Sequence, residues 1–303
     1  MPSPAEGGSE HPEQAHPKVR ERGRAGANAR KGRQIADQAG SRETAPKRYR
    51  ATVEYDGTEF AGFQVNPGKR TVQGVLEDAL ARLGDGVVRR VDGAGRTDAG
   101  VHATGQVIGF SYAGRLSVTE LGAALDAILP MDVAVRDIRP TVEGFNPRYA
   151  ASYREYRYTI WNGPPSPLRE RTALGVREPL DTVAMTSAAS AFIGRHDFGA
   201  FGTGDRDPVR TVTAVRVGRS GRNVTVDVRA ESFVRGQVRR MVGLLLEVGL
   251  GKREIDAVRA ALADPRSKER PAAAPAKGLC LRRVALRRGR RTGTKTNGER
   301  EER

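Results

Sequence analysis

At 303 residues the chain is long enough for two ordinary domains, and its formal net charge of +16 points to a polyanionic partner. One cysteine, Cys280, excludes an internal disulfide or a thiolate zinc cluster, and four histidines (His11, His16, His102 and His196) leave little for a metal site or a Ser-His-Asp triad. No apolar run approaches the roughly 20 residues that span a bilayer, and the leader lacks an apolar signal core, so a soluble cytoplasmic protein is expected.

The charge is uneven. Residues 1–48 carry +4, residues 266–303 carry +9, and residues 49–265 only +3. Residues 1–47 have few large apolar side chains and no periodicity, so a disordered basic leader is expected there. A disordered basic tail is expected over 288–303, with domains at 48–150 and 151–287 between them.

Tyr49 to Tyr55 reads as a strand ending in the turn Asp56-Gly57-Thr58. Val72, Val75, Leu76, Ala79, Leu80 and Leu83 recur at helical spacing, and Gly84-Asp85-Gly86 ends that helix. Val87 to Val91 predicts a short strand, followed by a glycine-rich loop from Gly93 to Gly105. Then come a strand over Gln106 to Tyr112, a helix over Leu116 to Ile128 and a strand over Asp132 to Ile138. The second half repeats the order: strand Tyr153 to Trp161, helix Thr182 to Ile193, a hairpin of Arg210 to Val217 with Val224 to Glu231, helix Gln237 to Gly249, a short helix Arg253 to Leu262 and strand Leu279 to Leu286. The pattern predicts an α/β (α+β) protein of two ferredoxin-like β-α-β-β-α-β modules flanking a basic cleft. Phe110, Phe192, Phe198, Phe201 and Cys280 read as core, and His102 and His196 as structural.

The segment most suited to chemistry is Gly93-Ala94-Gly95-Arg96-Thr97-Asp98-Ala99-Gly100-Val101-His102-Ala103. Its glycines allow positive φ and close approach to a ligand, and they bracket one cation and one carboxylate. It is not a dinucleotide fingerprint, because Asp98 stands where the third glycine belongs and no helix pattern follows. No phosphate loop of the form G-x-x-x-x-G-K-[ST] occurs in the chain. On the residues alone, Asp98 is either a catalytic carboxylate or a turn aspartate that caps local backbone. On spacing alone Tyr156 and Tyr158, which share one strand face, read first as core, and Arg239 with Arg240 reads first as a solvated helix face.

Gly95 to His102, read as G-R-T-D-A-G-V-H, resembles the signature of the tRNA pseudouridine synthase A family. Further segments are similar in the same order: Glu54-Tyr55-Asp56-Gly57-Thr58 with Gly62-Phe63-Gln64, and Thr71 to Glu77. Later come Phe145-Asn146-Pro147-Arg148-Tyr149-Ala150-Ala151 leading into Arg154-Glu155-Tyr156-Arg157-Tyr158, Phe233-Val234-Arg235 with Val238-Arg239-Arg240, and Pro275 to Leu281. The resemblance spans roughly residues 49–286.

It implies a pseudouridine synthase fold and the isomerisation of uridine in the anticodon stem-loop of tRNA, at tRNA positions 38, 39 and 40. It also implies a homodimer and no cofactor or metal. The residue roles it implies are Asp98 as the catalytic carboxylate, Tyr156 stacking on the target uracil, Arg96 on the RNA backbone and Arg239 paired with Asp98. The chain departs from the family pattern at Asn66, Asp126 and Gln237, which bears on RNA docking and not on the reaction. Two rivals are a non-catalytic RNA-binding protein, whose aromatic recognition run is absent, and a related synthase acting on other RNA.

Overall fold

The structure is a computed structural model that describes residues 45–204, 206–267 and 269–287. In chain order the first half contains β1 (Lys47–Tyr55), α1 (Val72–Leu83), β2 (Asp92–Gly93), β3 (His102–Tyr112), α2 (Val118–Ile128) and β4 (Val133–Pro140). Next come α3 (Pro147–Ala150), β5 (Ala151–Asn162), β6 (Leu174–Val176), α4 (Thr182–Ala189) and β7 (Gly194–Asp197). The chain then forms β8 (Val209–Ser220), β9 (Asn223–Ala230), α5 (Gln237–Gly249), α6 (Ala257–Ala263) and β10 (Leu279–Leu286).

The strands make one ten-stranded sheet in the order β4-β1-β3-β10-β5-β9-β8-β7, with β2 beside β3 and β6 beside β5. The halves meet where β10 runs parallel to β3, pairing Cys280 with His102 and Leu281 with Ala103. The last of the described strands, β10, therefore lies at the centre, between the strand that follows the Asp98 loop and the strand that carries Tyr156.

Alternation explains the sheet's buried face. Tyr49, Ala51, Val53 and Tyr55 of β1, Val224, Val226, Val228 and Ala230 of β9, and Tyr156, Tyr158 and Ile160 of β5 are all buried. The helices begin where their caps allow. The Thr71 hydroxyl accepts from the Gly74 amide at α1. At α2, Ser117 and Glu120 form a reciprocal capping box, which moves the start from the expected Leu116 to Val118. The four phenylalanines read as core, Phe110, Phe192, Phe198 and Phe201, are buried.

Several expectations need correction. Val87 to Val91 is not a strand; only Asp92–Gly93 pairs with β3. Val87 and Val88 are exposed, and Asp85 accepts from the Val87 amide while holding Arg89 through both guanidinium ends, so local bonds replace a ladder. The strand expected from Gln106 begins at His102, because the missing side chain of Gly105 lets the Arg282 backbone close in. The hairpin strands run to Ser220 and from Asn223, leaving a two-residue turn in which Gly221 has φ 56°. The helix expected to reach Ile193 stops at Ala189 and continues as one 3-10 turn. Cys280 is only half-buried; burial nonetheless raises the thiol's pKa, and its Sγ lies 4.0 Å from Thr104 Oγ1.

The disordered leader and tail expected at 1–47 and 288–303 lie outside the described residues, apart from residues 45–47, of which Lys47 opens β1. Much of the basic excess assigned to the C-terminal end belongs to described residues, including Lys277 and, on β10, Arg282 and Arg283.

Candidate active site

The segment from Ala94 to Val101 leaves the sheet after β2 and returns at β3. Its base is held by backbone and buried polar side chains. The Ala94 amide donates to the Val107 carbonyl at 2.8 Å. The Gln106 side chain is fully buried; its Nε2 donates to the Gly95 carbonyl at 2.6 Å, and its Oε1 accepts from the Gly95 amide at 3.3 Å. In the middle, the Thr97 and Tyr55 hydroxyls are 2.8 Å apart, and the Thr97 carbonyl accepts from the Phe63 amide. At the tip the Val101 amide donates to the Asp98 carbonyl, with Gly100 at φ 76°. Gly100 is the position here that needs left-handed backbone. His102, at the far end, accepts at Nδ1 from the Gly57 amide, and its Nε2 stands 3.1 Å from the Lys277 carbonyl. Both contacts are structural, as expected for this histidine.

This frame presents Asp98 with its carboxylate 29% exposed. Its Oδ2 lies 3.5 Å from Nη1 of Arg239, and its Oδ1 3.8 Å from Nε of Arg235. Neither is a tight bidentate pair, so the carboxylate keeps lone pairs for another partner. Arg239 sits on the first turns of α5 and is anchored by an Nε donation to the Ala274 carbonyl at 2.8 Å. Arg235 precedes Gly236, whose φ of 77° turns the chain into that helix.

Tyr156 points from β5 toward the same place. A Cβ on Gly95 would lie 3.7 Å from its hydroxyl, which puts the phenol directly under the Asp98 loop. The ring meets Phe233 edge-to-face at 5.3 Å and is 8% exposed. Burial raises the phenol far above its usual range, and the Asp98 charge adds to the effect. Tyr156 is therefore neutral at any physiological pH.

The structure thus brings together Asp98, Tyr156 and Arg239. Arg96 is exposed on the loop, and no hydrogen bond or ion pair joins it to the other three among the described residues. Four further residues belong to the site without a role that local sequence reasoning assigns: Phe233, Arg235, Arg154 and Gln106. The signal for Arg154 was its place two residues before Tyr156 on an alternating strand, which puts a charged residue on the buried face. Gln237 is buried, and its Oε1 accepts from the Val234 amide at 2.9 Å, so it serves the turn into α5 instead of facing RNA. Among the described residues, no group of three or more His, Cys, Asp or Glu could hold a metal ion, and no helix is long and apolar enough to cross a membrane.

A family model described as tRNA pseudouridine synthase matches residues 51–150 and 188–285. The chain is 42% identical over 239 residues to a protein of Pelobacter propionicus named tRNA pseudouridine synthase A, covering 77% of this chain and 97% of that one. A protein of the same name from Geobacter sulfurreducens is 42% identical over 77% of this chain and 96% of its own. One from Halalkalibacterium halodurans is 37% identical over 82% of this chain and 97% of its own. With matches of this extent on both halves of the sheet, the chain belongs to the tRNA pseudouridine synthase family.

Proposed function

We propose that the protein isomerises uridine to pseudouridine in tRNA, with Asp98 as the catalytic carboxylate. The observation that carries this reading is the carboxylate at the tip of a backbone-fastened loop, faced by Arg235 and Arg239, in a loop whose Gly95 lies against the Tyr156 hydroxyl. The reaction breaks the bond between C1′ of the ribose and N1 of the uracil, turns the base, and joins C1′ to C5. N1 gains a proton and C5 loses one, so the product is an isomer and nothing is oxidised or reduced. A carboxylate acts on the ribose as nucleophile or as base.

The target base must first leave its stack. Tyr156 and Phe233 then offer an aromatic surface in place of the lost neighbours, a contact worth about 1–3 kcal/mol per base. Phe233 stands edge-to-face against Tyr156, so the two rings form one aromatic corner for the base. Arg239 and Arg235 hold the carboxylate's orientation and face the phosphates of the entering strand, and exposed Arg96 contacts the RNA backbone.

The same proposal extends to finer points for which the family resemblance is the support. The substrate region is the anticodon stem-loop, at tRNA positions 38, 39 and 40, and the enzyme works as a cytoplasmic homodimer without cofactor or metal. Its halves, 48–150 and 151–287, are two ferredoxin-like modules, a reading supported by the matching sheet orders β4-β1-β3-β2 and β10-β5-β9-β8, to which the second half adds β6 and β7. The test is to incubate the purified protein with unmodified tRNA after exhaustive chelation and to map pseudouridine by nucleotide. Conversion confined to the anticodon stem-loop is expected. No conversion, or conversion that needs an added metal, contradicts the proposal.

A further inference from the structure

Arg154 is buried, yet among the described residues no carboxylate pairs with it. Its guanidinium donates instead to backbone carbonyls of three segments. Nε and Nη2 both reach the Ala94 oxygen, at 3.2 and 2.7 Å; Nη2 also reaches Arg148, at 2.7 Å, and Nη1 reaches Glu231, at 2.6 Å. Burial of this charge is costly, and only a planar fork with five donors satisfies three separated carbonyls at once. With most of its donors engaged, Arg154 is not available to grip a phosphate.

Each of the three segments ends in part of the site. Ala94 lies four residues before Asp98, and Glu231 lies two before Phe233 and four before Arg235. Arg148 lies in α3, which leads directly into β5, and Arg154 itself shares the buried face of β5 with Tyr156. Gln106 completes the hold one residue along from Ala94, with both amide atoms on the Gly95 backbone. Gly95 is the residue stacked over the Tyr156 hydroxyl.

We propose that Arg154 and Gln106 are positioning residues, which together fix the base of the Asp98 loop and so set the reach of its carboxylate toward the ribose over Tyr156. The proposal rests on the reading of Asp98 as the catalytic carboxylate. Neither side chain touches the substrate. Their effect is on the rate of the chemical step and not on holding tRNA, because a misplacement of about 1 Å costs on the order of 100-fold in rate.

The test uses the full chain carrying Arg154→Lys or Gln106→Glu. Lysine keeps the charge but loses the fork, and glutamate puts an oxygen against the Gly95 carbonyl where Nε2 donated. Single-turnover rates are measured with enzyme in excess over tRNA, beside tRNA affinity and the thermal midpoint. With folded enzyme both in excess and saturating, the rate is insensitive to the folded fraction. Folded variants are expected to lose about 100-fold in single-turnover rate while tRNA affinity stays within a few fold. A variant that is less stable but turns over at the wild-type rate overturns the proposal, as does a rate loss matched by an equal loss of affinity.

If the variants do not fold, hydrogen exchange on the wild-type chain decides. The Gly95 amide should exchange as slowly as the amides inside β3; exchange at the rate of an unstructured peptide overturns the hold. That measurement is independent of turnover. A wild-type protein that makes no pseudouridine would therefore sink the proposed function without being mistaken for failure of this inference.

Discussion

Two excursions from the same sheet are fastened in opposite ways. The Asp98 loop is held by buried groups: Gln106 and Arg154 on its backbone, and Tyr55 against Thr97. The stretch between β5 and β6, residues 164–172, is tied at its middle by exposed charges. Arg171 Nε meets Asp56 at 2.9 Å and its Nη1 meets Glu59 at 3.8 Å, while Lys277 meets Glu170. Exposed pairs of this kind contribute about 0–1 kcal/mol each and weaken with salt. Buried hydrogen bonds to backbone carbonyls are neither screened nor free to rearrange. Where a carboxylate must sit at a fixed reach, the fold uses buried forks and amides; where a segment only needs to lie down, ion pairs serve.

Apart from Asp98 itself and the residues that hold its loop, the largest effect is expected at Tyr156. Replacement by Phe keeps the ring and should leave turnover within a few fold. Tyr156→Leu removes the aromatic surface, worth about 1–3 kcal/mol per base, and should lose most turnover with tRNA affinity nearly unchanged. If Leu turns over as well as wild type, the stacking role is wrong.

A second effect touches stability at alkaline pH. Tyr55, Tyr156 and Tyr158 are buried phenols whose pKa values burial raises from the ordinary 10.0. Folded tyrosines stay neutral while those of the unfolded chain ionise, so the unfolded state releases protons first. These groups leave stability unchanged below about pH 10 and lower it above, by up to about 1.4 kcal/mol per pH unit each. The thermal midpoint should drop above that pH, and Tyr158→Phe should soften the drop. A midpoint that stays level from about pH 9 to about pH 11 would contradict the burial of these phenols.

The smallest effect sharpens the contrast directly. Arg171→Ala should cost no more than about 1 kcal/mol and leave turnover intact, with a deficit that shrinks as salt rises. A large, salt-independent loss would show that the 164–172 stretch is anchored as firmly as the loop.

What could be read along the chain depended on how local its cause was. The bounds of α5 and β10 match their apolar patterns residue for residue, because three- to four-residue recurrence and alternation are visible within one element. The Asp98 loop was legible for the same reason: its glycines and its lone carboxylate are contiguous. The strand expected at Val87 to Val91 failed because Asp85 satisfies that backbone from just upstream, a competition that propensity does not weigh. The start of β3 at His102 depends on β10, which lies more than 170 residues away. Arg154 escaped notice because its acceptors are carbonyls, which have no side-chain signature, and the Ala94 acceptor lies 60 residues upstream. Arg235 and Phe233 stand in a quoted motif, but only the turn at Gly236 brings them against Asp98 and Tyr156.

The central claim is that the Asp98 carboxylate performs the chemistry and contributes nothing to holding RNA. The direct test is Asp98→Asn, with pseudouridine yield and tRNA affinity measured on one preparation beside wild type. Asparagine is nearly isosteric and equally suited to the turn, so loop shape survives while charge and nucleophilicity are lost. Turnover is expected to fall by orders of magnitude, while affinity for the polyanion holds or rises slightly because a negative charge has gone. Near-normal yield from a well-folded Asp98→Asn protein would contradict it.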